Sequence, residues 1–435
     1  MAAVGSDKVK KRVAIFPAGT EIGLEINRAL KYSTFVDVFG FTSLKDHTEY
    51  VYANYVEGLP FYSAPSFIDK LNEYIEEHQI EFIFPAHDDV QLFMTENMDK
   101  INAAVITADL NTVRVCRSKI ETYKHFADQS FVPRVFRSKE EVDSFPVFIK
   151  PDIGQGSHGV KVINNLYELE FVLYENPEIV ICEYLPGEEY TVDCFTDFDG
   201  NLRVCKLRTR NRIRNGISVN SRILPTDDRV MDIAREINGK LKFNGAWFFQ
   251  LKRAGDNEYR LLEVAPRIAG TMGLSRNTGI NYPLLTLFNT MNMPVSMISN
   301  DFEIEVDRAL CNRYKTNLIY DVVYLDLDDT LIVNDRVNTF LMMFLYQAVN
   351  EKKKIVLITK HREDVIETLA KHRINPELFS EIIHIGKDDE KSPYMTERNA
   401  IFIDDSFSER YRVSRNTGIP VFDCSEIESL VDWRT

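Results

Sequence analysis

Short apolar runs alternate with stretches of helical periodicity over the first hundred residues of the chain. The apolar runs predict strands at 12–16, 36–41, 81–85 and 104–107. Between them, apolar positions recur at helical spacing and predict helices near 23–32, 66–78 and 89–98. Strands that alternate with helices are typical of a parallel, doubly wound sheet, so we expect an α/β domain over residues 1–112.

Two of these strands run into polar loops, with the sequences FPAGTEIG and FPAHDD. Both loops are expected at the carboxyl edge of the sheet, where open α/β folds bind their ligands. Gly19 and Gly23 permit a tight turn into the following helix, although half of a glycine fingerprint is a weak signal by itself.

The pattern changes after residue 112 to closely spaced strands with tight turns, as in FPVFIKPD, IVICEYL and GAWFFQLKRAG. This spacing predicts an α+β region built on antiparallel sheet. An alternating α/β pattern returns near residue 318 with an apolar strand over 318–325. The sequence therefore predicts three domains, at 1–112, 113–317 and 318–435.

Composition limits the classes of partner. The 435 residues carry a net charge of -14, which argues against nucleic acid and anionic membranes because both require a basic surface. No apolar stretch is long enough to span a bilayer, and the first apolar run is too short for a signal peptide. The six cysteines contain no CxxC pair and indicate reduced thiols. A cytoplasmic enzyme of small molecules is expected.

A glycine-rich segment follows the strand that ends at Lys150. Its residues Gly154, Gly156, Ser157 and Gly159 form a loop whose amides can hold phosphate next to the lysine charge. The alternative is a simple turn. The later segment IVICEYLPGEEY offers a strand end for adenine and a carboxylate for ribose, and Gln250 and Glu263 offer oxygen ligands for magnesium.

Taken in this order, these motifs resemble the ATP-grasp superfamily, in the branch of the carbamoyl phosphate synthetase large subunit, over about residues 12–310. The resemblance implies an ATP-grasp fold behind a pre-ATP-grasp α/β domain. It also implies an ATP site, with phosphate contacts from Lys119, Lys150 and the glycine loop, adenine contacts from Glu183, Tyr184 and Leu185, and a ribose contact from Glu189.

The same resemblance implies that Gln250 and Glu263 bind Mg²⁺ and that Arg267 steadies the transferred phosphoryl group or the acyl phosphate. Ala265 stands where the family usually has asparagine. The second magnesium then depends on water or substrate, or the site is weakened.

Four arginines, Arg208, Arg210, Arg212 and Arg214, occupy every second position. In a strand this spacing places all four on one face. A solvated hairpin face is the alternative, but in a chain of net charge -14 we favour an anion-binding face. The pattern predicts an acidic substrate and leaves open whether it is phosphorylated.

A second cluster of acidic residues follows the strand near 318–325. Asp326, Asp328 and Asp329 lie close together at the strand end, where a shared Mg²⁺ would relieve their repulsion. An acid-rich exposed turn is the alternative. Thr359 ends another apolar strand, Lys391 lies in KSPY, and Asp404 and Asp405 end a third strand.

This order of motifs resembles the HAD superfamily over about 318–435. The resemblance implies that Asp326 is the nucleophile, that Asp328 is the general acid and base, and that Thr359 and Lys391 hold phosphoryl oxygens, with Lys387 competing for the lysine role. It also implies a Mg²⁺ site formed by Asp326, the Asp328 carbonyl and Asp405, supported by Asp404 or Glu409.

The intervals between the HAD-like motifs are short. Asp326 and Thr359 are separated by 32 positions, and Thr359 and Lys391 by 31. Each interval holds about one helix and one strand, so a Rossmann-like domain without a large cap is expected.

The sequence therefore predicts a bifunctional enzyme that uses ATP and Mg²⁺. One half would join a small-molecule acid to an amine through an acyl phosphate, and the other would remove phosphate through an aspartyl phosphate. An ATP-dependent kinase and a nucleotide-binding sensor weakened at Ala265 are the alternatives. The acid, the amine and the oligomeric state are left open.

Overall fold

The computed structural model of the protein describes residues 10–154, 156, 158–176, 178–255 and 258–434. The chain divides into two compact units, Met1–Leu310 and Cys311–Thr435. This boundary lies close to the one predicted after residue 317, whereas the boundary predicted after residue 112 falls inside the first unit. The division of that unit into two domains stays a prediction, and the two units are described separately.

A parallel sheet opens the first unit. Its elements are β1 (Lys11–Phe16), α1 (Glu21–Leu30), β2 (Val36–Phe41), β3 (Asn54–Val56), α2 (Phe67–His78), β4 (Phe82–Pro85), α3 (Asp88–Glu96) and β5 (Ala104–Val105). The five parallel strands lie in the order β3-β2-β1-β4-β5. Successive residues of β1 point to opposite faces, so Val13 and Ile15 enter one core while Ala14 and Phe16 enter another.

The α1 helix begins directly behind the end of β1. The hydroxyl of Thr20 accepts a hydrogen bond from the amide of Gly23 and caps the helix. A Cβ atom at Gly23 would lie 2.5 Å from the carbonyl oxygen of Ala18, so only glycine permits this close approach. The Thr20 hydroxyl also donates to the carbonyl of Ala86, which joins the loops that follow β1 and β4.

A small antiparallel sheet comes next. The elements of this region are α4 (Leu110–Arg117), α5 (Lys119–His125), β6 (Val135–Phe136), β7 (Val147–Pro151), β8 (Lys161–Ile163), α6 (Leu166–Glu175) and β9 (Ile179–Glu183). Its four strands lie in the order β6-β9-β7-β8. Val147, Ile149 and Ile181 form its apolar face together with Leu169 of α6.

A larger antiparallel sheet completes the first unit. Its elements are β10 (Glu189–Thr196), β11 (Leu202–Thr209), β12 (Arg212–Arg214), β13 (Ile217–Leu224), α7 (Asp228–Lys240), β14 (Gly245–Gly255), β15 (Glu258–Ala265), α8 (Gly273–Arg276), α9 (Tyr282–Thr290) and β16 (Glu305–Asp307). The order is β12-β13-β11-β10-β14-β15, and β16 pairs with β13. Trp247 is fully buried and stacks on Phe243 at 4.0 Å between ring centroids.

The prediction that the four alternating arginines share one strand is wrong. Strand β11 ends at Thr209, and a separate strand β12 holds Arg212 and Arg214. Between the two strands, the amide of Arg210 donates to the carbonyl of Glu189 and the amide of Asn211 donates to that of Asn220. Because the backbone changes its pairing partner here, the period of two does not continue across the break.

A second parallel sheet forms the unit that begins at Cys311. Its elements are β17 (Val322–Leu325), β18 (Ile332–Val333), β19 (Arg336–Val337), α10 (Thr339–Asn350), β20 (Lys354–Thr359), α11 (Val365–Lys371), β21 (Glu381–His384), β22 (Ala400–Ile403), α12 (Phe407–Thr417) and β23 (Val421–Phe422). The parallel order is β21-β20-β17-β22-β23, and β18 and β19 form a separate hairpin.

Strand β17 lies at the centre of this sheet. Leu325 is in register with Leu357 of β20 and Ile403 of β22. The carboxyl ends of the three strands therefore meet at one edge, which is where the acidic motifs continue the chain. Among the described residues, no helix is long and apolar enough to cross a membrane.

Candidate functional site

Strands of both antiparallel sheets line a cavity of about 150 Å³, called the first cavity here. The predicted ATP-site residues that reach its wall are Lys119, Lys150, Gly154, Gly156, Glu183, Leu185, Glu189, Gln250 and Glu263. Tyr184 and Gly159 are not part of its lining, and Tyr184 is partly exposed. Ser157 lies outside the described residues.

Lys150 is a buried cation in the wall of the first cavity. Its Nζ donates to the hydroxyl of Tyr123 and lies 3.4 Å from the carbonyl oxygen of Leu262. No carboxylate of the described residues is within ion-pairing distance of this lysine, and burial lowers its pKa. A buried charge that has only neutral partners is costly, so the position favours an incoming anion.

Lys119 gives the first cavity a second cation of this kind. Its Nζ donates to the carbonyl of Asp152 at 3.0 Å. Burial lowers the pKa of Lys119, and the charge of Glu263 opposes that shift. Both lysines that were predicted to contact phosphate thus line the same cavity, and neither forms an ion pair with a described carboxylate.

The glycine loop starts from a fixed point. The carboxylate of Asp152 accepts from the Ser118 hydroxyl at 2.9 and 2.8 Å and from the amide of Ile120 at 2.7 Å. Gly156 and Gly159 have φ angles of 63° and 71°, a region that favours glycine. Asp152 ties the loop to helix α5, which carries Lys119, and sequence reasoning missed this contact because the partners are distant along the chain.

The residues that the sequence assigned to adenine and ribose are held by charged neighbours. Glu183 lies 3.4 Å from Nε of Arg260 and also accepts from the backbone amide of Arg134 at 2.8 Å. The carboxylate of Glu189 lies 3.2 Å from Nζ of Lys252 and 3.4 Å from Nε of Arg210. The predicted ribose carboxylate is therefore already compensated by two cations, neither of which the sequence linked to it.

Gln250 and Glu263 are opposite each other on the antiparallel strands β14 and β15. Directly paired residues present their side chains on the same face of a sheet. Both line the first cavity and also a neighbouring one of about 440 Å³, called the second cavity here. An amide and a carboxylate supply the oxygen donors that Mg²⁺ prefers, so the pair fits the predicted metal role.

The second cavity extends to the carboxyl edge of the first sheet. Thr20, His87 and Asp88, which come from the loops predicted to bind ligands, line it together with Arg208 and Arg210. Eight residues line both cavities: Lys119, Gly154, Gly156, His158, Arg210, Gly216, Gln250 and Glu263. We call this shared wall the junction. The sequence analysis did not predict that His158 and Gly216 would be part of it.

The alternating arginines separate into two pairs. Arg208 is buried and binds Asp193 through Nε at 2.8 Å and one terminal nitrogen at 3.1 Å. Its other terminal nitrogen is buried without a partner among the described residues. Arg212 is exposed and bonds to Asp307 at 2.8 Å, and Arg214 is exposed as well. Of these four arginines, Arg208 and Arg210 line the second cavity and Arg212 and Arg214 do not.

Arg267 also lines the second cavity, where it binds Asp88 with two hydrogen bonds of 2.6 and 2.8 Å. Burial disfavours the charged form of Asp88, but the guanidinium outweighs it and keeps the pKa of Asp88 below its usual range. The neighbouring Asp89 binds Arg117 at 2.6 Å. The sequence motif FPAHDD indicated this edge but gave no sign of its arginine partners.

In the second unit, three carboxylates gather at the edge of the sheet. Oxygen atoms of Asp326, Asp404 and Asp405 all lie within 4.8 Å of one another. Nζ of Lys391 lies 2.6 Å from both Asp326 and Asp404. Burial raises the pKa of Asp326 to about 7 although Lys391 opposes the shift, and burial also raises the pKa of Asp404. This acidic cluster fits a divalent cation.

The side chain of Asp328 stands apart from the acidic cluster. It is half exposed and accepts from Nδ1 of His361 at 2.8 Å, while Nε2 of His361 lies 2.8 Å from the Thr368 hydroxyl. The side chain of Asp328 is not part of the group formed by Asp326, Asp404 and Asp405, whereas Asp404, which was predicted as outer support, belongs to that group. His361 was not predicted from the sequence, although the motif ITKH places it two residues after the strand end at Thr359.

The other residues that were predicted to belong to the phosphatase site differ in how deeply they are buried. Thr359 is fully buried, and its hydroxyl accepts from the amide of His361 at 3.1 Å. Lys387 is exposed, so Lys391 is the lysine that reaches the carboxylates. Glu409 is paired with Lys360 at 2.9 Å and does not contribute to the group of three aspartates.

Comparison with known proteins adds a family match and a fold. Residues 175–308 match the family model described as ATP-grasp in the biosynthetic pathway with Ter operon. The chain is similar to the biotin carboxylase domain of 2-oxoglutarate carboxylase from Hydrogenobacter thermophilus, solved with MgADP, ADP and bicarbonate, at 15% identity and a TM-score of 0.54. That match covers 67% of this chain and 71% of that chain.

A second solved structure with the same fold is the L-amino acid ligase from Bacillus licheniformis, 17% identical with a TM-score of 0.51. It covers 67% of this chain and 75% of the ligase. Pyruvate carboxylase of Staphylococcus aureus is 25% identical over 214 residues, which are 44% of this chain and 17% of that enzyme. The predicted ATP-grasp resemblance is confirmed as a fold, and ATP-grasp enzymes bind ATP and Mg²⁺.

Proposed function

We propose that the first unit is an ATP-dependent carboxylate–amine ligase that acts through an acyl phosphate, and that the second unit is a Mg²⁺-dependent phosphatase. The observation that carries the ligase proposal is the junction, where Lys119 and Arg210 face the oxygen pair of Gln250 and Glu263. Lys119 has no ion pair among the described residues, and Arg210 shares the carboxylate of Glu189 with Lys252, so these cations next to metal-type oxygen donors suit the phosphates of a nucleotide.

In this proposal the first cavity binds ATP. Lys150 and the glycine loop contact the phosphates, Leu185 packs near the adenine, and Glu189 accepts from the ribose. Gln250 and Glu263 would hold Mg²⁺, which neutralises charge on the phosphates when it is bound. The γ-phosphate would lie at the junction, because Lys119, Gly154 and Gly156 line both cavities.

The acid substrate then occupies the second cavity. Arg208 has one buried nitrogen that lacks a partner among the described residues, and Arg210 reaches the junction. Their guanidinium groups suit a carboxylate or phosphate, and Arg267 is placed to stabilise the charge that develops on the transferred group. The carboxylate attacks the γ-phosphorus and ADP leaves, and the amine then attacks the carbonyl carbon of the acyl phosphate and phosphate leaves.

Formation of ADP with a matrix of small acids and amines tests the ligase proposal. A ligase forms ADP and an amide product only when both an acid and an amine are present. A kinase forms ADP with a single substrate and leaves a phosphorylated product. Tight ATP binding without turnover in any combination would support the sensor alternative, in which Ala265 has weakened the metal site.

The phosphatase proposal rests on the acidic cluster. Asp326 would attack the phosphorus, and the half-exposed Asp328 would transfer protons to the leaving group and from water. Lys391 and Thr359 would contact phosphoryl oxygens, and the three aspartates would hold Mg²⁺, which reduces repulsion between carboxylates and phosphate. Magnesium-dependent release of phosphate from a simple aryl phosphate tests this activity.

A further inference from the structure

A third cavity, of about 230 Å³, adjoins the second cavity in the first unit. Gly270, Thr271 and Arg308 line both and form the partition between them. No described residue lines both the first and the third cavity, whereas the second cavity shares lining residues with each of them. The three cavities therefore follow one another from the glycine loop to helix α1. Nothing in the ATP or acid assignments uses this third space.

Two glycines allow the walls of the third cavity to come together. A Cβ atom at Gly273 would lie 2.6 Å from Oε2 of Glu25, and one at Gly270 would lie 3.1 Å from Cβ of Glu21. The segment that carries these glycines therefore lies directly against helix α1. Any larger side chain at Gly273 would push the buried Glu25 out of its place.

Two of the three arginines in the third cavity already have carboxylate partners. Arg276 binds the buried Glu25 through contacts of 2.9 and 3.4 Å. Arg308 binds Glu21 at 3.2 Å and the carbonyl of Ser218 at 3.3 Å. These pairs are close to neutral and build the walls.

Arg28 is the third arginine, and it differs from the other two. It is exposed on helix α1 and lines the cavity, and none of the described carboxylates forms an ion pair with it. Glu305 lines the same cavity and accepts from the amide group of Asn220 at 2.7 Å. The cavity thus offers a guanidinium that has no ion pair among the described residues, and such a group suits a carboxylate of a ligand.

We propose that the third cavity binds the amine substrate by a carboxylate group on that substrate, and that Arg28 is the residue that recognises it. The inference rests on the proposed ligase function. In that function the nucleotide occupies the first cavity and the acid the second, and the third cavity adjoins the second at Gly270, Thr271 and Arg308, so an amine held there lies next to the acid.

The bond-forming step is consistent with such an amine. Its nitrogen forms a bond to the acyl carbon, and the bond between that carbon and the phosphate oxygen breaks. Phosphate leaves with the electron pair. Of the two protons lost from the ammonium form, one goes to phosphate and one to solvent. The substrate class that this geometry selects is an amino acid rather than a simple alkylamine.

Binding of amino acids and their matched amides tests the proposal without requiring turnover. The full chain is loaded with Mg²⁺ and a non-hydrolysable ATP analogue and is titrated calorimetrically with each member of a panel. An amino acid and its amide differ only in the carboxylate. The measurement is repeated for Arg28→Gln and for a control, Arg235→Gln, whose arginine is exposed on α7 and pairs with Asp232.

The wild type should bind at least one amino acid about tenfold or more tightly than its amide, which is the scale of one charge-assisted hydrogen bond. Arg28→Gln should remove that preference, and Arg235→Gln should keep it. A panel without any preference for the carboxylate overturns the inference, as does an unchanged preference in Arg28→Gln with a native circular dichroism spectrum.

The ligase proposal fails by a different measurement. If ADP formation requires an acid and an amine but amides serve as well as amino acids, the third-cavity inference is overturned and the ligase stands. If no pair of substrates supports ADP formation while the carboxylate preference and its loss in Arg28→Gln are observed, the binding site stands and the ligase is overturned.

Discussion

The two candidate sites have opposite charge balances. In the first cavity, the buried Lys150 and the half-buried Lys119 contact neutral oxygens and lack ion pairs among the described residues. In the acidic cluster, one lysine is shared by Asp326 and Asp404, with Asp405 beside them. A surplus of buried cations favours an anion directly, whereas a surplus of carboxylates favours a divalent cation before any phosphate binds.

This difference separates two ways in which a protein can bind phosphate. In the proposed ATP site, backbone amides and lysines would supply the positive field, and Gln250 and Glu263 lie in the junction as candidate metal ligands. In the proposed phosphatase site, a bound metal would supply most of that field. Substitutions that change the charge balance should therefore affect the two sites in opposite directions.

The largest effect is expected for Asp326→Asn. The change keeps the shape of the side chain but removes the attacking charge, so magnesium-dependent phosphate release should fall by about a thousandfold or more. The measurement is the initial rate with a simple aryl phosphate. Asp388→Asn, at an exposed position of the same unit, serves as the control and should retain the wild-type rate. An active Asp326→Asn variant would eliminate the residue as nucleophile.

A somewhat smaller effect is expected for Glu263→Gln, which removes a charged oxygen ligand from the junction. ADP formation should fall by about a hundredfold or more because the developing charge on the phosphoryl group loses its metal partner. Glu258→Gln, on the same strand but outside both cavities, is the matched control. Equal rates for the two variants would remove Glu263 from the metal site.

Replacing each buried lysine by methionine compares the charge balances through stability. Lys391→Met leaves two buried carboxylates without their shared cation and should destabilise the second unit by about 3 kcal/mol. Lys150→Met removes a buried charge that has no carboxylate partner among the described residues, so the first unit should be equally or more stable. Hydrogen exchange of β17 and β7 reports the two units separately.

Added Mg²⁺ sharpens that comparison. The divalent cation should recover part of the stability lost in Lys391→Met, since it takes over the neutralisation of Asp326 and Asp404. It should have no comparable effect on Lys150→Met without nucleotide. If Mg²⁺ stabilises neither unit, the acidic cluster does not bind the metal.

The smallest effect distinguishes the two halves of the alternating arginine series. Arg210→Ala should raise the KM for the acid substrate about tenfold, because Arg210 lines the second cavity. Arg212→Ala should leave it unchanged, because Arg212 is exposed and paired with Asp307. Steady-state kinetics at saturating ATP measures both. An equal rise of the KM in Arg210→Ala and Arg212→Ala would support the original prediction that all four arginines form one anion-binding face.

The positions of most strands and helices could be predicted from the sequence because periodicity is a local property. Apolar runs located β1, β2, β4 and β17, and motif order brought Lys150, Gln250 and Glu263 to one cavity. The short strand β3 had no comparable pattern. Motif order also brought Asp326 and Lys391 together, because each follows or precedes a strand of one parallel sheet.

The contacts that the sequence did not reveal are pairings between distant residues. Arg267 with Asp88 and Asp152 with Ser118 join segments that have no pattern in common. The arginine series was misread for a related reason. Local alternation predicts a strand, but the change of pairing partner at Asn211 depends on contacts with residues distant along the chain. Because of this change, Arg208 is buried and Arg212 is exposed to solvent.

The central claim is that one chain carries two separate phosphoryl-transfer sites. Its most direct test measures ADP formation and aryl phosphate hydrolysis on the same preparations of the wild type, Lys150→Met and Asp326→Asn. The account predicts that Lys150→Met loses ADP formation and keeps hydrolysis, and that Asp326→Asn does the reverse. Loss of both activities in either variant, with native hydrogen exchange in both units, would contradict it.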